Sequence, residues 1–130
     1  MSRPIHFEIH ADDPARAIDF YELVLGWTFK RFGDADYWMI STGSGDQPGI
    51  NGGLVRRKGP RPDASASAPM TGFVCTMEVK DLETFEHAVV NAGGSIAAPR
   101  HAIAGVGWLT YVRDTEGNIF GMSQPDATAA

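Results

Sequence analysis

Two histidines and a glutamate alternate along one short segment near the start of the sequence. His6, Glu8 and His10 occupy every second position of the segment IHFEIH, so an extended strand would place all three on one face. A carboxylate beside an imidazole orients the ring and stabilises its protonated form, which prepares a general acid or base. The spacing therefore predicts either an acid–base pair of His6 and Glu8 or an altered metal site that also uses His10.

The residues around these three predict a strand that runs directly into a helix. Phe7 and Ile9 are apolar at alternate positions, which is the two-residue period of a half-buried strand. Asp13 is suited to an N-cap, Pro14 to the first helical position and Gly26 to a C-terminal stop. Because the apolar face of the strand must cover the helix, the histidines point away from it.

The same order of elements occurs twice along the chain. Each half is predicted to contain a strand, a helix and three further strands, and the predicted N-caps Asp13 and Asp81 lie 68 positions apart. The same offset relates Gly53 to Gly121. A single unit of this kind leaves one sheet face uncovered, so two such modules should pair in one structure.

Turn-forming residues indicate where these modules begin and end. We predict one domain, with a first module at about 3–56, a linker loop at 57–70 and a second module at about 71–125. The linker contains three prolines and no apolar periodicity, which is typical of a semi-extended loop. The short polar tail after residue 125 is predicted to be frayed.

The composition restricts the partners of the protein. The 130 residues carry a formal net charge of −5, whereas nucleic acids and anionic membranes attract basic surfaces. No apolar run approaches the roughly 18 residues of a membrane span. The lone Cys75 cannot form an internal disulfide and is predicted to be buried toward the second helix. We expect a cytoplasmic protein whose partner is a small molecule, with no nucleic acid and no membrane.

The duplicated module, the opening HFEIHADDPARAIDFYELVLGW and the closing VRDTEGNIFGM resemble the glyoxalase/bleomycin-resistance/extradiol-dioxygenase superfamily, also called the vicinal oxygen chelate proteins. The resemblance covers essentially the whole chain. It implies an α+β fold in which two paired βαβββ modules form a half-open barrel with a central cleft, and it implies a homodimer. Enzymes of this superfamily hold a divalent metal through one ligand from the first and one from the last strand of each module.

The resemblance places those four ligand positions at His6, Gly53, Val74 and Gly121. Only His6 carries a donor atom there, since glycine and valine have none. A catalytic divalent metal needs three or more protein ligands with an open position. The resemblance therefore predicts no metal and no other cofactor at these positions.

Further residues complete the candidate site. Tyr111 stands where ring-cleaving relatives place an active-site tyrosine, so the candidate catalytic residues are His6, Glu8 and Tyr111. The candidate ligand-binding residues are His10, Trp38, Gly53, Val74, Glu78, Trp108 and Gly121.

Structural alternatives stay open for these side chains. The histidines could be hydrogen-bonded edge residues, Glu8 could pair with an arginine such as Arg113, and the aromatic residues could be packing residues. The basic run Arg56-Arg57-Lys58 is predicted to be a solvated loop, although it could close over an anionic ligand.

Two functions are consistent with the sequence. The first is a protein that binds a small hydrophobic or aromatic molecule in the cleft, as bleomycin-resistance proteins do in this superfamily. The loss of metal donors together with the retention of aromatic residues favours it. The second is a lyase, isomerase or dioxygenase-like enzyme that uses His6 and Glu8 as an acid–base pair or an altered metal site.

Overall fold

The computed structural model describes residues 3–60 and 73–130, which belong to two compact units. The first unit spans Met1–Arg61 and the second Pro62–Ala130. Each unit contains a strand, a helix and three further strands in that order, so the predicted α+β class with two βαβββ modules is confirmed. Neither of the two helices in the described ranges is long and apolar enough to cross a membrane.

The first unit is a four-stranded mixed sheet covered by one helix. Its elements are strand β1 (His6–Ala11), helix α1 (Pro14–Leu25) and strands β2 (Thr28–Arg31), β3 (Tyr37–Ser41) and β4 (Asn51–Arg56). The strand order is β1-β4-β3-β2, in which β1 runs parallel to β4 and the other neighbours are antiparallel. The parallel pairing places Glu8 opposite Gly53.

Helix α1 begins and ends as its residue types predict. The Asp13 carboxylate accepts a hydrogen bond from the backbone N–H of Arg16 at 3.2 Å, and Pro14 opens the helix. Gly26 ends it with a left-handed φ of 71°, which glycine adopts without steric cost. The buried face of the helix consists of Pro14, Ala17, Phe20, Tyr21 and Val24. This apolar stripe holds the helix on one face of the sheet and leaves the other face to the polar side chains.

The second unit repeats this arrangement. Its elements are strand β5 (Thr76–Glu78), helix α2 (Leu82–Asn91) and strands β6 (Ser95–Ile103), β7 (Gly107–Arg113) and β8 (Ile119–Pro125), in the sheet order β5-β8-β7-β6. Thr76 lies opposite Gly121 across a parallel pair, as Glu8 lies opposite Gly53 in the first unit. The predicted offset of 68 positions is therefore confirmed by the strand register.

The start of the second unit differs from the prediction. The sequence of alternating apolar residues from Gly72 to Val79 predicts a strand there, but the strand is paired only at Thr76–Glu78. Residues 61–72 lie outside the described part of the chain, as does most of the predicted linker. Cys75 is exposed and not buried, because it lies one residue before the paired segment Thr76–Glu78. Partial desolvation nevertheless raises the pKa of its thiol.

Helix α2 is anchored by the last strand. The backbone N–H of Leu82 donates to Gln124 Oε1 at 2.8 Å, while the Asp81 carboxylate accepts from the Thr84 hydroxyl and makes no hydrogen bond to the helix backbone. The side chain of Gln124 thus supplies an acceptor that the sequence assigned to Asp81. At the other end of the helix, the left-handed glycine is Gly93, with φ of 95°.

The C-terminal tail is packed, which corrects the prediction of a frayed end. The Asp126 N–H donates to the Val106 carbonyl at 3.0 Å, and the Gly105 N–H donates to the Ala129 carbonyl at 2.9 Å. The indole Nε1–H of Trp108 donates to Asp126 Oδ2 at 3.1 Å. These bonds attach the tail to the β6–β7 turn because that turn offers unpaired backbone groups at the end of the hairpin.

We expect Asp126 to contribute to stability in a pH-dependent way. Hydrogen bonds from the Thr128 side chain, the Thr128 N–H and Trp108 lower the pKa of its carboxyl group. Since that pKa is lower in the folded chain, the contribution is full above about pH 5 and is lost as the pH falls through the folded pKa. Urea unfolding from pH 7 to pH 3 should therefore show a steeper acid loss for the wild type than for Asp126→Asn. Parallel acid profiles for the wild type and this variant would contradict the prediction, and Asp34→Asn on the exposed β2–β3 turn controls for a change of charge alone.

Candidate functional site

The polar face of the first sheet carries the three residues predicted to do chemistry. His6, Glu8 and His10 are exposed and alternate along β1 with the half-buried Phe7 and Ile9. Because side chains alternate between the two faces of a strand, the three polar groups share one face, as the spacing predicted.

The contacts among these groups differ from the predicted pairing. Glu8 Oε1 lies 3.1 Å from His10 Nε2, and both side chains are about half exposed. His6 Nε2 instead hydrogen-bonds Tyr37 Oη at 3.0 Å. The expected acid–base pair of His6 and Glu8 is therefore not formed, because each residue reaches a different neighbour on the same face.

Tyr37 is the residue of this face that the sequence reasoning missed. It is the first residue of β3 and lies opposite Val55, while Met39, two residues further, lies opposite Gly53. This register brings the phenol ring over β4 and its hydroxyl group to His6. The sequence contains one signal for this approach, which is Gly53 inside strand β4. Only the strand register shows that the side chain approaching Gly53 is that of Tyr37.

The adjacent glycines of β4 admit one aromatic ring on each face of the sheet. A Cβ atom at Gly53 would lie 2.0 Å from Tyr37 Oη and 2.3 Å from Tyr37 Cζ, which is closer than atoms can approach. On the opposite face, a Cβ atom at Gly52 would lie 2.6 Å from the carbonyl oxygen of Phe7. Glycine inside a strand usually marks a close approach to the backbone, and here that approach is made by side and main chains of this protein itself.

The second sheet brings a smaller set of candidate residues together. A Cβ atom at Gly121 would lie 2.8 Å from Thr76 Oγ1 and 3.3 Å from Tyr111 Cε1, and Tyr111 is half-buried opposite Gly121. Glu78 is exposed and lies opposite Ser123, two residues along the same face. Val74 is half-buried just before β5. Tyr111, Gly121 and Thr76 thus form one cluster, and Glu78 lies two residues after Thr76 on strand β5.

The two candidate tryptophans, Trp38 and Trp108, lie on the faces of their sheets that are opposite to Tyr37 and Tyr111. Trp38 pairs with the fully buried Leu54, and the Arg31 guanidinium lies 5.1 Å from the centroid of its ring. Trp108 pairs with Gln124, the residue that anchors helix α2. Trp38 is one residue and Trp108 three residues from the tyrosine of the same strand, so each lies on the opposite face from that tyrosine.

The four positions that the superfamily resemblance assigns to metal ligands offer one donor side chain. That side chain is His6, and its Nε2 is hydrogen-bonded to Tyr37. The phenol of Tyr37 also fills the space into which a side chain at Gly53 would extend. Within residues 3–60 and 73–130, no three His, Cys, Asp or Glu side chains are grouped so that they could hold a metal ion. The residues present therefore do not fit the superfamily's metal.

Known proteins resemble this chain mainly in fold. Residues 3–43 match a family model described as bleomycin resistance protein-like N-terminal. No curated protein shows a significant sequence match. The solved structure of TioX from Micromonospora sp. ML1 is 22% identical and superposes with a TM-score of 0.67, covering 96% of this chain and 100% of that one.

Two further solved structures carry names from the predicted superfamily. A glyoxalase/bleomycin resistance protein/dioxygenase family enzyme from Burkholderia phytofirmans PsJN has a TM-score of 0.70 at 15% identity, covering 93% of this chain and 97% of that one. A glyoxalase-related enzyme from Fulvimarina pelagi also has a TM-score of 0.70 at 15% identity, covering 100% and 98%. The fold is therefore that of the glyoxalase/bleomycin resistance/dioxygenase proteins. Together with the match over residues 3–43, this agrees with the resemblance of the sequence to the vicinal oxygen chelate superfamily.

Proposed function

We propose that the protein binds a small hydrophobic or aromatic molecule on the polar face of its first sheet, without a catalytic metal. The observation that carries this proposal is the ring of Tyr37 lying directly on Gly53. At a position that the resemblance assigns to a metal ligand, the chain presents an aromatic surface in place of a donor atom. The usual metal ligands are on this view largely lost.

The surroundings of Tyr37 suit such a ligand. Met39 projects from the same face and is 41% exposed, so it adds apolar surface beside the ring. His6 and the Glu8–His10 pair supply a few polar groups at the edge. Apolar surface combined with a small number of placed polar groups is the usual composition of a small-molecule site.

An enzyme is the second candidate function, and the His6–Tyr37 hydrogen bond favours it. An imidazole bonded to a phenol can accept and return a proton, which is the requirement for general acid–base catalysis. In this alternative the protein is a lyase, isomerase or dioxygenase-like enzyme. His6 acts with Tyr37 and not with Glu8, since Glu8 contacts His10.

We also propose a cytoplasmic homodimer. The lone Cys75 is compatible with a reducing compartment, and the superfamily resemblance implies dimers. Size-exclusion chromatography with light scattering would measure the mass of the particle directly, and a monomer at micromolar concentration would contradict the dimer.

The neutral fluorescent probe N-phenyl-1-naphthylamine tests ligand binding. We expect saturable binding to the wild type and an affinity about five- to tenfold lower in Tyr37→Ala, because a buried aromatic contact contributes about 1 kcal/mol beyond its area. Leu23→Ala is the matched control, since Leu23 is an exposed apolar residue on helix α1, which covers the other face of the sheet. Equal loss of affinity in the two variants would indicate non-specific adsorption and contradict the proposal.

Titration with zinc, nickel, manganese and iron(II) separates the metal-free binder from a metalloenzyme. We expect no stoichiometric binding to the wild type, because the assigned positions carry one donor side chain. A stoichiometric metal in the purified protein that is lost in His6→Ala would favour the enzyme alternative with an altered metal site.

A further inference from the structure

The first module contains a groove beside Tyr37, and most of its lining residues lie outside the proposed ligand site. Its volume is about 390 Å³, which lies in the usual range for small-molecule pockets. The groove is lined by the charged residues Asp36, Arg56, Arg57 and Lys58 and by the apolar surfaces of Tyr37 and Val55. Because Tyr37 also contacts His6, the groove continues from the proposed ligand face.

Two residues of the basic run, Arg56 and Arg57, are held by hydrogen bonds, whereas Lys58 is exposed as the sequence predicted. Arg56 ends strand β4, and its Nε donates to Asp36 Oδ2 at 3.1 Å. The Arg57 side chain is only 9% exposed; its Nε donates to Asp12 Oδ1 at 3.0 Å and its Nη2 to the His10 carbonyl at 2.9 Å. These bonds hold both guanidinium groups in place before any ligand arrives.

The charges that line the groove are predominantly positive. Three cationic side chains face one carboxylate, Asp36, and that carboxylate is already shared between Arg56 and Arg31. Lys58 is exposed and makes no hydrogen bond or ion pair with any residue in the described ranges. Arg57 is paired with Asp12 and Arg56 with Asp36, so Lys58 carries the positive charge at this groove that no described carboxylate offsets, and it favours a negatively charged group.

We infer that this groove binds the anionic end of the ligand, so that the ligand is an aromatic or apolar acid bearing a carboxylate or phosphate group. The inference rests on the proposed function and names the charge of its ligand. An aromatic ring stacked on Tyr37 and Val55 directs its acidic substituent toward Lys58 and Arg56. Ammonium and guanidinium groups form charge-assisted hydrogen bonds with both oxyanions.

Benzoate and benzyl alcohol test the inference as a matched pair, because they share the ring and differ in charge. We expect amide resonances around Tyr37 and Lys58 to shift on titration with both compounds, with benzoate binding more tightly than benzyl alcohol. In Lys58→Gln the benzoate affinity is expected to fall about three- to tenfold, with benzyl alcohol unchanged, because one charge-assisted hydrogen bond is lost. Added salt should weaken benzoate binding selectively.

Lys80→Gln is the control, since it removes the same charge from an exposed position in the second unit. Equal benzoate and benzyl alcohol affinities, or an equal loss in the two lysine variants, would overturn the anion site while leaving the ligand-binding proposal standing. Failure of the neutral naphthylamine probe to bind would overturn that proposal separately. Displacement of benzoate by inorganic phosphate assigns the groove to oxyanions in general, whereas resistance to phosphate assigns it to carboxylates.

Discussion

Replacing Asp114 by alanine is expected to lower the free energy of unfolding by about 3 kcal/mol, because the variant leaves several donors of a buried turn unpaired. Asp114 is 4% exposed in the turn between β7 and β8. Its Oδ1 accepts the backbone N–H groups of Glu116 and Asn118, each at 2.8 Å, and its Oδ2 accepts Asn118 Nδ2 at 3.1 Å. The carboxylate thus organises the hairpin whose strands carry Tyr111 and Gly121.

Urea unfolding measured by circular dichroism would test this expectation. Asp34→Ala is the matched control, because Asp34 is an exposed aspartate in the β2–β3 turn and its removal should change stability by less than about 0.5 kcal/mol. Asp114→Asn should fall between the two, since an amide retains one acceptor for the backbone groups but presents a donor to Asn118. A loss in Asp114→Ala no larger than that in Asp34→Ala would show that the turn does not depend on the carboxylate.

Replacing Gly53 by alanine is expected to cost about 2 kcal/mol, because overpacking a filled site typically costs about 1–3 kcal/mol. The added methyl group would overlap the Tyr37 ring, so the ring must move and its hydrogen bond to His6 must break. The variant should therefore also bind the neutral naphthylamine probe more weakly. Gly45→Ala is the control, since nothing lies within 4 Å of a Cβ atom at that loop position.

A double-mutant cycle shows whether Tyr37 is the cause of this cost. In the Tyr37→Ala background, Gly53→Ala should cost about 1 kcal/mol less than in the wild type, because the ring that the methyl group meets is gone. Additive effects of the two substitutions would mean that Gly53 is required for another reason, such as backbone conformation. That result would remove the observation on which the proposed function depends.

Local signals in the sequence were sufficient for the helices and for the repeat. Asp13, Pro14 and Gly26 determine the ends of helix α1 through side-chain capping and backbone preferences that act within a few residues. The two-residue period of β1 correctly placed His6, Glu8 and His10 on one face. The weaker elements were less predictable, since the Asp81 carboxylate makes no hydrogen bond to the backbone of its helix and β5 is only three residues long.

The contacts within the site depend on strand pairing and could not be read from the sequence. Nothing local indicates that Tyr37 lies opposite Val55, and this register alone brings its hydroxyl group to His6. A shift by one residue would exchange Tyr37 with Trp38, because neighbouring side chains point to opposite faces. Trp38 therefore lies on the other face of the sheet from Tyr37, and its assignment as a ligand-binding residue stays a prediction.

The amino-acid sequence by itself thus determined the two βαβββ modules and the polar face of β1, because periodicity and capping act over short stretches of chain. Only the tertiary structure decided which partners these residues meet: Tyr37 for His6, His10 for Glu8, and Asp12 for Arg57. The first and third contacts join residues on different strands or loops. The second joins Glu8 to one of its two histidine neighbours on the same strand. Their energies depend on pairing register and packing, which no local pattern encodes.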